Sequence, residues 1–135
     1  MPYYWWVIGN NFGDNLSPEI ASRILQAYAN KNNYSKINLA FIRRDLDISE
    51  NISSVVGLGS IFDHAVNKDV IWMSGFSNPN TFMTNIAKND LDIRGVRGPR
   101  TREFLMNTYG MTIPEVYGDP GLLLPLLFPE FKRQK

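Results

Sequence analysis

Apolar and polar positions fall in short blocks along this chain, and their period switches repeatedly. Tyr3-Tyr4-Trp5-Trp6-Val7-Ile8 is aromatic and β-branched without clean alternation, which predicts a first strand buried on both faces. After a polar loop over 9–16, Ser17-Pro18-Glu19 has the form of an N-cap, a proline at the first helical position and an acid in the first turn. Ile20, Ile24 and Tyr28, with Leu25 beside them, then predict an amphipathic helix ending near Asn30–Asn33. Strands are predicted over 37–42, at the sheet edge, and over 53–58, 69–73, 92–97 and 115–117, the last very short. Ser60 and Asp63 are spaced as a capping box for a helix after the third strand. Asn78-Pro79 opens a short helix carrying Phe82, Met83 and Ile86. Gly98-Pro99 starts one whose apolar face is Phe104, Leu105 and Thr108, and Gly110 stops it. Asp119-Pro120 begins a final turn that Pro125 ends.

Strands alternating with helices predict an α/β fold with a mostly parallel sheet of five to six strands and right-handed crossovers. In such sheets ligands bind beyond the carboxyl ends of the strands. The loops over 9–16, 57–60, 74–78, 97–102 and 118–121 should therefore meet at one rim, although they are far apart in sequence.

Composition narrows the chemistry. A chain of 135 residues, 44% hydrophobic and 20% charged, reads as one folded domain over 1–135. Lys+Arg of 14 against Asp+Glu of 13 gives a net charge of +1, which argues against a nucleic-acid partner. With no cysteine and one histidine, disulfides, thiolate zinc sites and multi-histidine metal sites are excluded, and no cofactor is called for. No signal peptide is visible, and the apolar run 122–128 is too short for a membrane span, so the expected compartment is the cytoplasm. Three Asn-x-Ser sequons, at Asn15, Asn33 and Asn51, are then chance.

The polar residues of the rim are the candidates for chemistry. Asn11-Phe12-Gly13-Asp14-Asn15 brings a carboxylate that can act as a base or accept from sugar hydroxyls, and an amide that both donates and accepts. Gly57-Leu58-Gly59-Ser60 has two glycines of a dinucleotide fingerprint but Phe62 in place of the third, so it reads as a polar-ligand contact or a tight turn. Arg94, Arg97, Arg100 and Arg102 are four arginines in nine residues. Arg97 stands at a strand end and Arg100 in a first helical turn, where a cation opposes the helix dipole unless an anion meets it. Ion pairs with Asp92 and Glu103 are the plainer alternative. His64 is the one side chain poised to exchange a proton near neutrality. Trp5, Trp6 and Trp72 read as core, although an aromatic at a strand end can also stack on a sugar.

Five ordered blocks are more specific than any one of them: Asn11-Phe12-Gly13-Asp14-Asn15-Leu16-Ser17-Pro18, Gly57-Leu58-Gly59-Ser60-Ile61, Trp72-Met73-Ser74-Gly75-Phe76, Val96-Arg97-Gly98-Pro99-Arg100-Thr101-Arg102 and Tyr117-Gly118-Asp119-Pro120. Together they resemble the N-terminal half of the polysaccharide pyruvyltransferase family over nearly the whole chain. One departure is Met73, where the family usually has glycine, and it narrows the space beside the strand end. The resemblance implies one Rossmann-like half, with helices on both faces of the sheet, of a two-domain glycosyltransferase-like fold. It implies transfer of pyruvate from phosphoenolpyruvate onto two sugar hydroxyls as a cyclic ketal, in exopolysaccharide or capsule synthesis. The acceptor would be a sugar or a lipid-linked oligosaccharide. On this reading Asp14 and His64 are the catalytic candidates, and Gly13, Asn15, Ser60, Arg97, Arg100 and Asp119 bind substrate, with Arg97 the expected partner of the donor's anionic groups and Asp14, Asn15 and Ser60 contacting the acceptor. The family's second half, with its His-Gly block, has no counterpart here, so the chain is expected to be inactive alone. A missing C-terminal domain, a partner subunit or a second copy would cover an apolar face at Leu122, Leu123, Leu126, Leu127 and Phe128. The alternatives are a non-catalytic sugar- or anion-binding α/β module and half of a nucleotide-sugar glycosyltransferase.

Overall fold

The computed structural model describes residues 1–6, 11–35, 38–42, 52–78 and 90–131. Strand β1 (Pro2–Tyr4) leads to helix α1 (Phe12–Lys31), followed by β2 (Ala40–Ile42), β3 (Val55–Val56), β4 (Val70–Ser74) and β5 (Asp92–Val96). Helix α2 (Pro99–Tyr109) follows, and the described chain closes with the short helix α3 (Leu124–Leu127). Single 3-10 turns cover Phe62–His64 and Pro120–Leu123. The five strands form one all-parallel sheet in the order β2-β1-β3-β4-β5. The predicted sixth strand is a single parallel bridge from Tyr117 to Val96. The predicted helix carrying Phe82, Met83 and Ile86 lies outside the described residues.

This is the expected α/β, Rossmann-like architecture. The chain leaves β1 in one direction and β3 in the other, so their adjacent carboxyl ends form a topological switch point, where such sheets open a crevice.

Side-chain alternation along the strands points residues to both faces of the sheet. Tyr3 and Val55 are in register and turn toward α1, where with Trp72, Ala21 and Ile24 they line an apolar pocket of about 170 Å³. Tyr4 and Val56 turn the other way and pack with Ile71, Val96, Phe62 and Leu105 of α2. Both faces are thus covered. Burying each large side chain stabilises the fold by roughly 1.5–3 kcal/mol.

Helix α1 begins earlier than its sequence suggests. Asn11, not Ser17, is the N-cap: its side chain accepts from the backbone N–H of Gly13 at 2.9 Å and of Asp14 at 3.4 Å. Ser17 is fully buried inside the helix, and its hydroxyl lies 2.8 Å from that of Tyr3. Pro18 therefore sits within the helix despite its missing N–H. The buried stripe is Ser17, Ile20, Ala21 and Ala29, whereas Tyr28 is exposed and stacks on Tyr34.

Helix α2 matches its signals more closely. Gly98 is the N-cap, Pro99 opens the first turn, and Gly110 stops the helix at φ 64°. Leu105 is buried and Phe104 half-buried, but Thr108 faces solvent. Pro125 lies in the first turn of α3 rather than ending the segment.

The C-terminal segment folds back on α1 through Arg23. Its guanidinium donates to the Leu127 carbonyl at 2.7 Å, pairs with Glu130 at 2.9 Å and Glu19 at 3.1 Å, and covers the Phe128 ring at 3.8 Å. This half-buries Leu123, Leu127 and Phe128 and leaves Leu122 and Leu126 about three-quarters exposed, so the predicted apolar face is only partly open.

Candidate functional site

The switch point holds a cleft of about 570 Å³ at the carboxyl edge of the sheet. Each of the five predicted loops contributes to it: Asn11, Gly13 and Asp14 from the first, Leu58 to Ser60 from the second, Ser77 from the third, Arg97 from the fourth and Asp119 from the fifth. Trp6, Ile61, Asp63 and His64 complete the wall.

Local geometry explains each placement. The Asn11 cap fixes the first turn of α1, and the helix N-terminus favours the Asp14 carboxylate beside it. Burial pushes the Asp14 carboxyl above its ordinary range, and the nearby Arg97 cation pulls it partly back. Opposite Asp14 the chain turns at Gly59, whose φ of 121° suits glycine, and a Cβ there would lie 3.3 Å from Asp14 Oδ1. Gly57 has a different cause. A Cβ on it would overlap the Tyr3 hydroxyl and lie 2.9 Å from Tyr3 Cζ. Burial raises the Tyr3 hydroxyl's pKa, while hydrogen bonds from Ser17 and the Leu58 backbone oppose the rise.

The two glycines thus serve the packing of Tyr3 and the approach of Asp14. The turn after them is only Phe62–His64, and it has no side-chain cap, so Ser60 and Asp63 do not form the predicted capping box. Ser60 Oγ instead accepts from Arg97 Nη1 at 3.0 Å.

Arg97 is held by its side chain and its backbone. Its Nε lies 3.0 Å from Asp119 Oδ2, while Asp119 Oδ1 accepts from the Gly121 N–H at 2.8 Å, capping the last 3-10 turn as the Asp-Pro pair predicts. The Arg97 backbone N–H donates to Ser74 O at 3.0 Å. Ser74 is fully buried, and its hydroxyl donates to Gly59 O at 3.1 Å.

The imidazole of His64 lies against the Trp6 indole, ring centres 4.7 Å apart, and its Nε2 is 4.0 Å from Asp63 Oδ1. That Asp63 oxygen is buried and has no hydrogen-bond partner among the described residues.

Six of the eight candidates from the sequence therefore line one cleft: Gly13, Asp14, Ser60, His64, Arg97 and Asp119. Asn15 and Arg100 are exposed on the first turns of their helices and do not line it. Arg94 pairs with Asp92 at 2.7 Å, and Arg102 Nε donates to Ile113 O at 3.1 Å, so both have structural partners. Asp63 is a cleft residue that lies outside the predicted rim loops, and Asn11, expected in the polar loop of the rim, serves as the helix cap. Asn11 carries the commonest N-cap signal, but the stronger Ser-Pro-Glu pattern behind it masks it.

Charge decides what the cleft suits. Three carboxylates, Asp14, Asp63 and Asp119, face one arginine that already pairs with Asp119. Such a wall accepts hydrogen bonds from hydroxyl groups and repels a free multivalent anion. Trp6 adds an apolar flank. Among the described residues no group of three or more histidines and carboxylates could hold a metal ion. None of the described helices is long and apolar enough to cross a membrane. Comparison with protein-family models, with curated proteins and with solved structures returns no match.

Proposed function

We propose that this chain supplies the acceptor side of a pyruvyl transfer, in which phosphoenolpyruvate forms a cyclic ketal on two hydroxyls of a sugar. The observation that carries the reading is the convergence of Asp14, Ser60, His64, Arg97 and Asp119, from separate stretches of sequence, on one cleft flanked by Trp6. The ordered sequence blocks that resemble the pyruvyltransferase family supply four of these five residues.

The chemistry needs proton traffic at the acceptor. A proton adds to the methylene carbon of phosphoenolpyruvate, and positive charge develops on the neighbouring carbon. One sugar hydroxyl attacks that carbon. The second then displaces phosphate and closes the ring. Of the two hydroxyl protons, the balance places one on the new methyl group and one on the departing phosphate. Asp14, its carboxyl raised by burial, is suited to take a hydroxyl proton and return it. His64 stands on the same wall as a second proton carrier. Ser60 and Asp119 orient the hydroxyls, and Trp6 offers its ring to the apolar face of a sugar. The carboxylate excess, with Arg97 already paired to Asp119, favours a facing surface for the anionic donor rather than the expected contact with Arg97.

Ligand titration followed by tryptophan fluorescence and amide NMR tests the reading. Uncharged hexosides should perturb Trp6 and Gly59 with weak affinity, and phosphoenolpyruvate alone should not. Tighter binding of a nucleotide sugar than of any hexoside would overturn it in favour of a glycosyltransferase half. Binding of hexosides with no ketal formed from phosphoenolpyruvate, even with a protein encoded beside this one present, would leave a sugar-binding module.

A further inference from the structure

Strand β4 does not run regularly to its end. Met73 has φ 63°, in the left-handed region that side chains rarely adopt. The pairing with β5 slips twice: Arg94 is skipped on β5 between the Ile71–Ile93 and Trp72–Gly95 pairs, and Met73 is skipped on β4 between the Trp72–Gly95 and Ser74–Val96 pairs. Met73 is therefore the extra residue of a β-bulge, a device that re-aims the residues after it.

What it re-aims is the frame of the cleft. Beyond the bulge, the Ser74 hydroxyl and the Gly75 N–H both donate to Gly59 O at 3.1 Å, and Ser74 O accepts from the Arg97 N–H. The loop bearing Ser60 is thereby tied to the strand end bearing Arg97. The Met73 side chain reaches the neighbouring strand. A Cβ on Gly95 would lie 2.9 Å from both its sulfur and its methyl carbon, and one on Gly118 would lie 3.5 Å from the sulfur. Gly118 precedes Asp119, so the thioether braces the loop that carries the partner of Arg97.

We propose that Met73 is a positioning residue for the cleft. Its backbone fixes the loop of Ser60, its side chain fixes the loop of Asp119, and the guanidinium of Arg97 is held between the two. The proposal is independent of which ligand the cleft takes.

The Arg97 Nε–Hε group, paired with Asp119, gives an NMR signal whose solvent exchange reports this geometry directly. Met73→Gly keeps the left-handed backbone and removes the brace. It should speed exchange at Arg97 Nε by about tenfold, with the amide of Val56, in the sheet, unchanged. Met73→Leu, which restores bulk, should return the rate to near the parent value. Asp119→Asn gives the rate of an unpaired Arg97 for scale. Equal exchange at Arg97 in Met73→Gly and parent overturns the proposal. So does equal acceleration at Arg97 and Val56, which would mark a general loss of stability. If Met73→Gly does not fold, Met73→Ala is read the same way, and loss of fold in both also overturns it, since Met73 would then support the domain rather than the cleft.

Discussion

Arg97 Nε lies 3.0 Å from Asp119 Oδ2, and the pair joins two loops that the parallel bridge between Val96 and Tyr117 brings side by side. The Arg97 side chain is about half exposed, so the pair itself contributes little to stability, of order 0–1 kcal/mol. Arg97→Met should therefore leave the melting temperature nearly unchanged. It should nevertheless weaken hexoside binding, because Ser60 loses its donor and Asp119 its partner. Calorimetric titration beside thermal melting separates the two effects, and a large drop in melting temperature would contradict the surface-pair reading.

Asp14 gives a pH-dependent consequence. Burial raises its carboxyl in the folded state, so the folded protein binds that proton more tightly than the unfolded chain does. This stabilising contribution is complete below the unfolded pKa and is lost as the pH rises through the folded one. Asp14→Asn carries no such proton. The stability difference between Asp14→Asn and parent should shift in favour of the variant as pH rises across that window, then level off. Urea denaturation at a series of pH values measures it, and a difference independent of pH would refute the assignment. The same substitution should abolish sugar binding. Removing the opposing cation by Arg97→Met should move the Asp14 titration further upward by carbon-detected NMR.

The parts of this molecule that could be read in advance depend on alternation between elements, and those that could not depend on single tertiary contacts. Strand–helix alternation predicts a parallel sheet, and the sheet carries Asp14, Ser60, Arg97 and Asp119 to one edge whatever the loops do in detail. The start of α1 was not legible because Ser17-Pro18-Glu19 makes a complete local cap signal. The buried hydroxyl of Tyr3 recruits Ser17 instead, and Asn11 takes the cap. Ser60 and Asp63 illustrate the same limit. Their spacing fits a capping box, but Arg97 occupies the Ser60 hydroxyl from a strand far along the chain. The bulge at Met73 has no local signature, since a methionine among apolar strand residues reads as ordinary core.

Packing around Tyr3 gives a prediction for Gly57. A Cβ there overlaps the Tyr3 hydroxyl, so Gly57→Ala should destabilise by about 1–3 kcal/mol, the usual cost of overfilling a tight core. Tyr3→Phe removes the oxygen that Ser17 and the Leu58 backbone bond, and should cost about 1 kcal/mol alone. The double variant should lose clearly less than the sum, because removing the oxygen relieves the worst of the overlap. Chemical denaturation of the four proteins closes the cycle, and strict additivity would mean that the two positions do not share the contact described here.

Arg23 is the link between α1 and the C-terminal segment. Its bond to the Leu127 carbonyl, its contact with the Phe128 ring and its pair with Glu130 all attach residues 120–131 to the helix. Each contact is partly exposed, so none is strong alone. Arg23→Ala should therefore loosen the attachment of this segment rather than destabilise the sheet. Limited proteolysis should then cut within 120–131 several times faster in Arg23→Ala than in the parent, while 55–74 stays protected. Arg23→Lys keeps the charge but not the planar fork that reaches Glu19 through Nε and Leu127 and Glu130 through Nη1, so it should fall between the two. Equal cleavage in all three proteins would show that the segment is held by its leucines rather than by Arg23.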